Sequence, residues 1–286
     1  MTRYNYWLFC CALTIVVNSS HGSKTHRNDV VQQRVNEEAY KNRFNREQVA
    51  EQESGIVLLP RIKNEASSEN EISTDFKWKM ILMTGDDSIN AFDNARTKLH
   101  SMFTDLDIKE SIQLSRNPKF QVGGVRSTTI PNLEKAAHDI NVQEGEGCLI
   151  HMTSHGKPTG FYIRGQDYLT PTKLNQIIND TCGKRPTVLL VSACYAGIFA
   201  EPSMQANNRI ILAAARKDKT SFGCSAEADY TYWDGCLVTS LPTSNTWYEL
   251  AQQVETCIEV KESAGGFSRS YPQARFGADV AHYPIR

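Results

Sequence analysis

The chain has 286 residues, with 31 Lys plus Arg against 32 Asp plus Glu and a formal net charge of −1. That length suits one α/β domain of roughly 200 residues plus an extension. The near-neutral charge excludes partners held by bulk charge, so neither nucleic acid nor an anionic membrane surface is expected.

Arg3 precedes an apolar block from Trp7 to Val17, and Asn18, Ser19, Ser20 and Gly22 follow it. This is the charged, apolar and small-residue order of a secretory signal peptide, assigned to residues 1–22. An uncleaved N-terminal anchor is the alternative. The block falls short of the roughly 20 apolar residues of a membrane span, and no second apolar stretch follows. A secreted or periplasmic protein is expected, with no stable membrane insertion after signal cleavage. Residues 23–75 are polar and read as an extension or linker, either a tail or a pro-segment over the active site. The globular domain is expected over 76–286.

Within it, Trp78 to Met83 reads as a first strand ending in Gly85-Asp86-Asp87. Ser88 can cap a helix whose Phe92, Ala95, Leu99, Met102, Phe103 and Leu106 form one apolar stripe. Ile108 to Leu114 reads as a second strand, and Pro131 opens a helix. Cys148 to Thr153 is a third strand, followed by Ser154-His155-Gly156. Gly160 to Thr170 reads as a hairpin turning at Gly165-Gln166-Asp167. Pro171 opens a further helix. Thr187 to Ser192 holds a β-branched, continuously apolar centre, Val188 to Val191, the pattern of a strand buried on both faces, and it runs into Ala193-Cys194-Tyr195-Ala196-Gly197. Arg209 to Ala215 repeats that pattern. Thr246 to Ser263 is an amphipathic helix, and Ser270 to Val280 offers an edge strand. Alternating strands and helices imply a mostly parallel sheet covered on both faces.

Six cysteines lie beyond the signal: Cys148, Cys182, Cys194, Cys224, Cys236 and Cys257. In an exported chain they invite disulfides. With Cys194 reactive, at most two bridges and one spare thiol remain, and the spacings dictate no pairing. Cys148 and His151 sit on one strand and alternate across it, so they read as packing residues and no metal site is expected. No pair of cysteines lies two residues apart, which argues against a redox protein. No cofactor is expected.

Groups in open α/β sheets act just beyond the carboxyl ends of the strands. His155-Gly156 and Cys194 both follow buried-type strands, at the same sheet edge. A thiol is a weak nucleophile until deprotonated, and a neighbouring imidazole can take its proton and return it to a leaving amine. Gly156 carries no side chain, so its N–H and that of Cys194 can approach a developing oxyanion. Taken singly, a cysteine after a strand is more often a buried hydrophobe.

Thr153-Ser154-His155-Gly156, Ser192-Ala193-Cys194-Tyr195-Ala196-Gly197, Thr220-Ser221-Phe222-Gly223-Cys224 and Thr231-Tyr232 come in the order and spacing of the legumain-like cysteine peptidases, the asparaginyl-endopeptidase or haemoglobinase family. The resemblance runs from about Trp78 to Ile285. Gly85-Asp86-Asp87 and Pro272-Gln273 also look like secreted or periplasmic bacterial members. It implies a caspase-haemoglobinase-like three-layer α/β/α fold with a mostly parallel sheet of about six strands. It implies a cysteine endopeptidase acting on peptides or proteins through Cys194, His155 and a thioester acyl-enzyme, with Gly156 and Cys194 as oxyanion donors. A transpeptidase on the same scaffold is the alternative, and an inactive caspase-like binding module a further one. In the family an Asn after the first strand orients the His, and Asn90 is the nearest residue here. Animal and plant members recognise Asn through a basic pair, where this chain has Asp93-Asn94. Asp93 is then either a pocket residue favouring cleavage after Lys or Arg, or a solvated helix residue. Ser192, Ser221 and Asp234 are further pocket candidates.

Overall fold

The computed structural model describes residues 55–61, 76–108 and 110–285. The signal segment and most of the polar extension lie outside the described residues. In chain order the strands and helices begin with β1 (Ile56–Leu58), β2 (Lys77–Thr84), α1 (Ala91–Asp105), β3 (Ser111–Ser115) and β4 (Arg126–Ser127). Then come α2 (Ile130–Asp139), β5 (Glu146–Thr153), β6 (Gly156–Lys157), β7 (Gly160–Phe161), α3 (Pro171–Cys182) and β8 (Thr187–Ser192). The chain ends with β9 (Arg209–Ala213), α4 (Tyr232–Ser240), α5 (Trp247–Ala264) and β10 (Gln273–Phe276).

The main sheet has the order β1-β10-β9-β8-β5-β2-β3-β4, and only β10 against β9 is antiparallel. Six strands of four or more residues form its centre, as expected, and the short β1 and β4 close its two sides. β8 is buried at every position, so its unbroken apolar run is explained by cover on both faces. Side-chain alternation along β5 shows the two covers. Cys148 points toward α3, where it is bonded to Cys182. His151 and Thr153, of opposite parity, point to Asp234 of α4. Cys148 is therefore a cross-link between sheet and helix rather than a simple packing residue. A second bridge, Cys236–Cys257, joins α4 to α5.

The helices start where their caps dictate. Thr129, Thr170, Thr231 and Thr246 each accept the N–H three residues on. Helix α1 differs: its N-cap position is Asn90, which makes no side-chain cap bond, and Ser88 is not its cap. Leu250, Val254 and Ile258 of α5 are buried, each contributing roughly 1.5–3 kcal/mol. Trp247 stands edge-on to Trp78 at 5.7 Å, tying α5 to β2.

Two further expectations change. Phe161 does bridge to Leu169, but the two-residue ladder pairs Gly156-Lys157 with Gly160-Phe161 instead. β10 is not the edge strand, because β1, from within the polar extension, pairs along its outer side.

Candidate active site

Thr84 of β2, Thr153 of β5 and Ser192 of β8 stand in one register row at the carboxyl end of the sheet. Each strand holds one bond further: Gly85 N–H donates to Thr153 O and Ser154 N–H to Ser192 O, both at 3.1 Å. Beyond that row three loops emerge side by side. They carry Asp86 to Ser88, His155-Gly156 and Cys194-Tyr195. This is the crevice position for open α/β sheets.

Gly156 lies directly against the Cys194 backbone. A Cβ built on it would fall 2.1 Å from the Cys194 carbonyl oxygen, so only glycine fits. Tyr195 follows with φ 58°, a left-handed conformation costly for a side-chain-bearing residue. Its N–H donates to Lys219 O at 2.8 Å, which fixes the turn immediately after the thiol. Cys194 is half-buried and unbridged, and its Sγ donates to Ser221 O at 3.5 Å. Burial pushes the thiol above its ordinary range, against smaller opposing effects from backbone hydrogen bonds at Ser221 and at Cys194 itself. Such a thiol needs a base.

His155 offers one. Its ring stands edge-on to Phe92, with centroids 5.3 Å apart. Its carbonyl accepts Tyr162 N–H at 3.0 Å, and Ser154 Oγ donates to Tyr162 O at 2.8 Å. Nε2 is 3.3 Å from Ser88 Oγ and 3.6 Å from Asp86 Oδ2. Asp86 is buried, and its Oδ2 accepts both the N–H of Ser88, at 3.2 Å, and the Ser88 hydroxyl. Arg164 lies 3.8 Å from Asp86 Oδ1 and pairs with Asp87 at 2.6 Å.

The structure brings Gly156 against the Cys194 backbone and Ser221 O to the Cys194 thiol, with His155 the residue before Gly156. It does not bring Asn90 to the imidazole: Asn90 is exposed and makes no hydrogen bond with His155. Asp93 is neither in a pocket nor solvated. It is fully buried, pairs with Arg96 at 2.9 Å, and accepts from Ser115 Oγ at 2.9 Å and, weakly, from Thr84 Oγ1. Burial raises its carboxyl pKa, with Arg96 opposing. Its charge is thus taken up inside the protein, and the reason for expecting a basic substrate side chain goes with it.

Asp234 and Ser192 also lie beneath the crevice rather than in it. Asp234 Oδ2 accepts from Thr153 Oγ1 at 2.6 Å, Ser192 Oγ at 2.8 Å and Thr231 Oγ1 at 2.9 Å. Its Oδ1 faces His151 Nε2 at 3.0 Å. A carboxylate only accepts, so Nε2 of His151 carries a proton. This hub is a polar floor under the strand ends, and His151 belongs to it. The sequence carried signals for it in two residues of β5 of one parity and in the Thr231 cap. Asp86 was legible only as the end of a strand.

Cys224, the other unbridged cysteine among the described residues, is exposed as a residue, yet burial dominates the environment of its thiol. Its thiol is pushed up to about 12, with the nearby charges of Cys194 and Asp234 adding to the shift. Among the described residues no group of three His, Cys, Asp or Glu side chains could hold a metal ion.

A thiol and an imidazole on neighbouring strand ends of an α/β/α sandwich mark the class of cysteine peptidases with a caspase-type fold. Residues 77–257 match the family model described as the Peptidase C13 family, well over half of the chain, and the chain belongs to that family of legumain-like cysteine peptidases. Among solved structures, caspase-1 from Spodoptera frugiperda is similar, with a TM-score of 0.52 and 12% identity. The match covers 77% of this chain and 93% of that one, and at this identity it concerns the fold alone. No curated protein sequence matches the chain.

Proposed function

We propose that this peptidase is an exported endopeptidase that cuts through a thioester acyl-enzyme at Cys194. His155 takes the proton from Cys194 Sγ as the sulfur attacks the scissile carbonyl. The oxygen becomes an oxyanion, held by the N–H groups of Gly156 and Cys194. The C–N bond breaks, and His155 gives its proton to the leaving amine. Water then enters, His155 takes one of its protons, and the thioester is split to a free acid with Sγ reprotonated.

The observation that carries this reading is the fit of Gly156 onto the backbone of Cys194, which sets His155 and the thiol on adjoining loops. The raised thiol favours a mechanism in which the base acts during attack. Export is supported by the signal-like N-terminus and by two disulfides, which persist in oxidising compartments. A peptide acyloxymethyl ketone tests the site. Adduct mass on Cys194, lost in Cys194→Ala, supports the reading, and an adduct elsewhere with activity surviving in Cys194→Ala overturns it.

A further inference from the structure

We propose that Asp86 and Ser88 form the positioning arm of the site, holding His155 by Nε2 so that Nδ1 is left to the Cys194 thiol. The inference rests on the dyad reading above and extends it to a third and fourth residue.

The hydrogen bonds dictate the order. Asp86 is buried at the end of β2 and can only accept while ionised. The Ser88 hydroxyl bonds to Oδ2, so its proton is committed to Asp86. Its lone pair then faces Nε2 of His155 at 3.3 Å, and a lone pair can only be met by an N–H. This fixes His155 with its proton on Nε2 and a free lone pair on Nδ1, the form able to accept the Sγ proton. Once it does, the ring is a cation with both nitrogens protonated. Oδ2 lies 3.6 Å from Nε2, close enough to stabilise that charge without taking the proton. Arg164 does not cancel the carboxylate, because its shorter contact, at 2.6 Å, is to Asp87. Phe92 sits edge-on to the ring and limits its rotation. Asn90, two residues beyond Ser88 and exposed, makes no hydrogen bond with His155.

Two measurements test the arm: hydrolysis of fluorescein-labelled casein, and alkylation of Cys194 by iodoacetamide between pH 6 and 10. Asp86→Asn is expected to lower the casein rate by about 10²-fold. It should lower alkylation near pH 7 by about tenfold, since the imidazolium that forms as Sγ gives up its proton loses its counter-charge, and leave alkylation near pH 10 unchanged. Ser88→Ala, at an exposed position that tolerates change, should act in the same direction. Ser88→Thr, which keeps the hydroxyl, should restore most of the rate. The double variant should be no worse than Asp86→Asn alone. Asn90→Ala should behave as the parent. Loss of alkylation equally at all pH values, or Ser88→Ala matching the parent, overturns the arm. Full activity in His155→Ala overturns the dyad itself, a separate outcome.

Discussion

Thr153 and Ser192, paired in register on neighbouring strands, both donate to one oxygen of Asp234, at 2.6 and 2.8 Å. The two residues that immediately precede the His155 and Cys194 loops are thus tied to the same buried carboxylate. Asp234→Ala leaves two sheet hydroxyls, Thr231 and a protonated His151 nitrogen without an acceptor. It should destabilise the fold by about 3–5 kcal/mol. A urea titration reads this as a lower midpoint at unchanged slope.

Gly156→Ala places a methyl where the Cys194 carbonyl oxygen already lies, at 2.1 Å. Backbone meets side chain there, so the loop must move. The peptidase rate should fall by at least about 10²-fold, with far-ultraviolet circular dichroism unchanged.

The two unbridged thiols among the described residues should separate by reactivity. With iodoacetamide near pH 7, peptide mapping should find the label on Cys194 and not on Cys224, whose thiol is pushed up to about 12. In His155→Ala the Cys194 thiol has only its own raised pKa. The thiolate fraction grows as pH rises, so labelling should shift to the alkaline side of the ordinary thiol range.

Asp93→Asn weakens the pairing of buried Arg96. It should lower the melting temperature and leave the residue preferred before the cut unchanged in a peptide-library digest. A changed preference would put Asp93 back in the binding site.

Reducing the disulfides should cost stability by chain entropy. The bridges close loops with sequence separations of 34 and 21, worth about 3–4 kcal/mol each. Calorimetry with and without dithiothreitol should show a clear fall in melting temperature.

The long strands were legible because burial on both faces leaves a plain mark, as in Thr187 to Ser192. The His155 and Cys194 loops were legible because they follow such strands. Asp93 was misread for a physical reason. It follows Phe92, on the flank of the apolar stripe, and its partner Arg96 lies three residues on, so the pair buries itself within the helix. Ser88 looked like a helix cap because a cap and a bridge to an imidazole ask for the same residue type. Which cysteines pair, and which strand a segment as short as Ile56-Val57-Leu58 joins, depend on neighbours far along the chain, and local pattern does not record them.

That short segment, β1, has a consequence for where the chain can be cut. Gly55 O accepts from Ala274 N–H at 2.6 Å and from Arg275 at 3.0 Å, Leu59 N–H donates to Phe276 O at 2.8 Å, and Arg61 pairs with Asp279 at 2.8 Å. A chain begun at residue 76 would lose all four and leave the outer row of β10 backbone groups bare. Bare rows recruit strands from other molecules. The shortened protein should therefore self-associate through β10 more than one begun a few residues before Gly55, a difference that gel filtration reads.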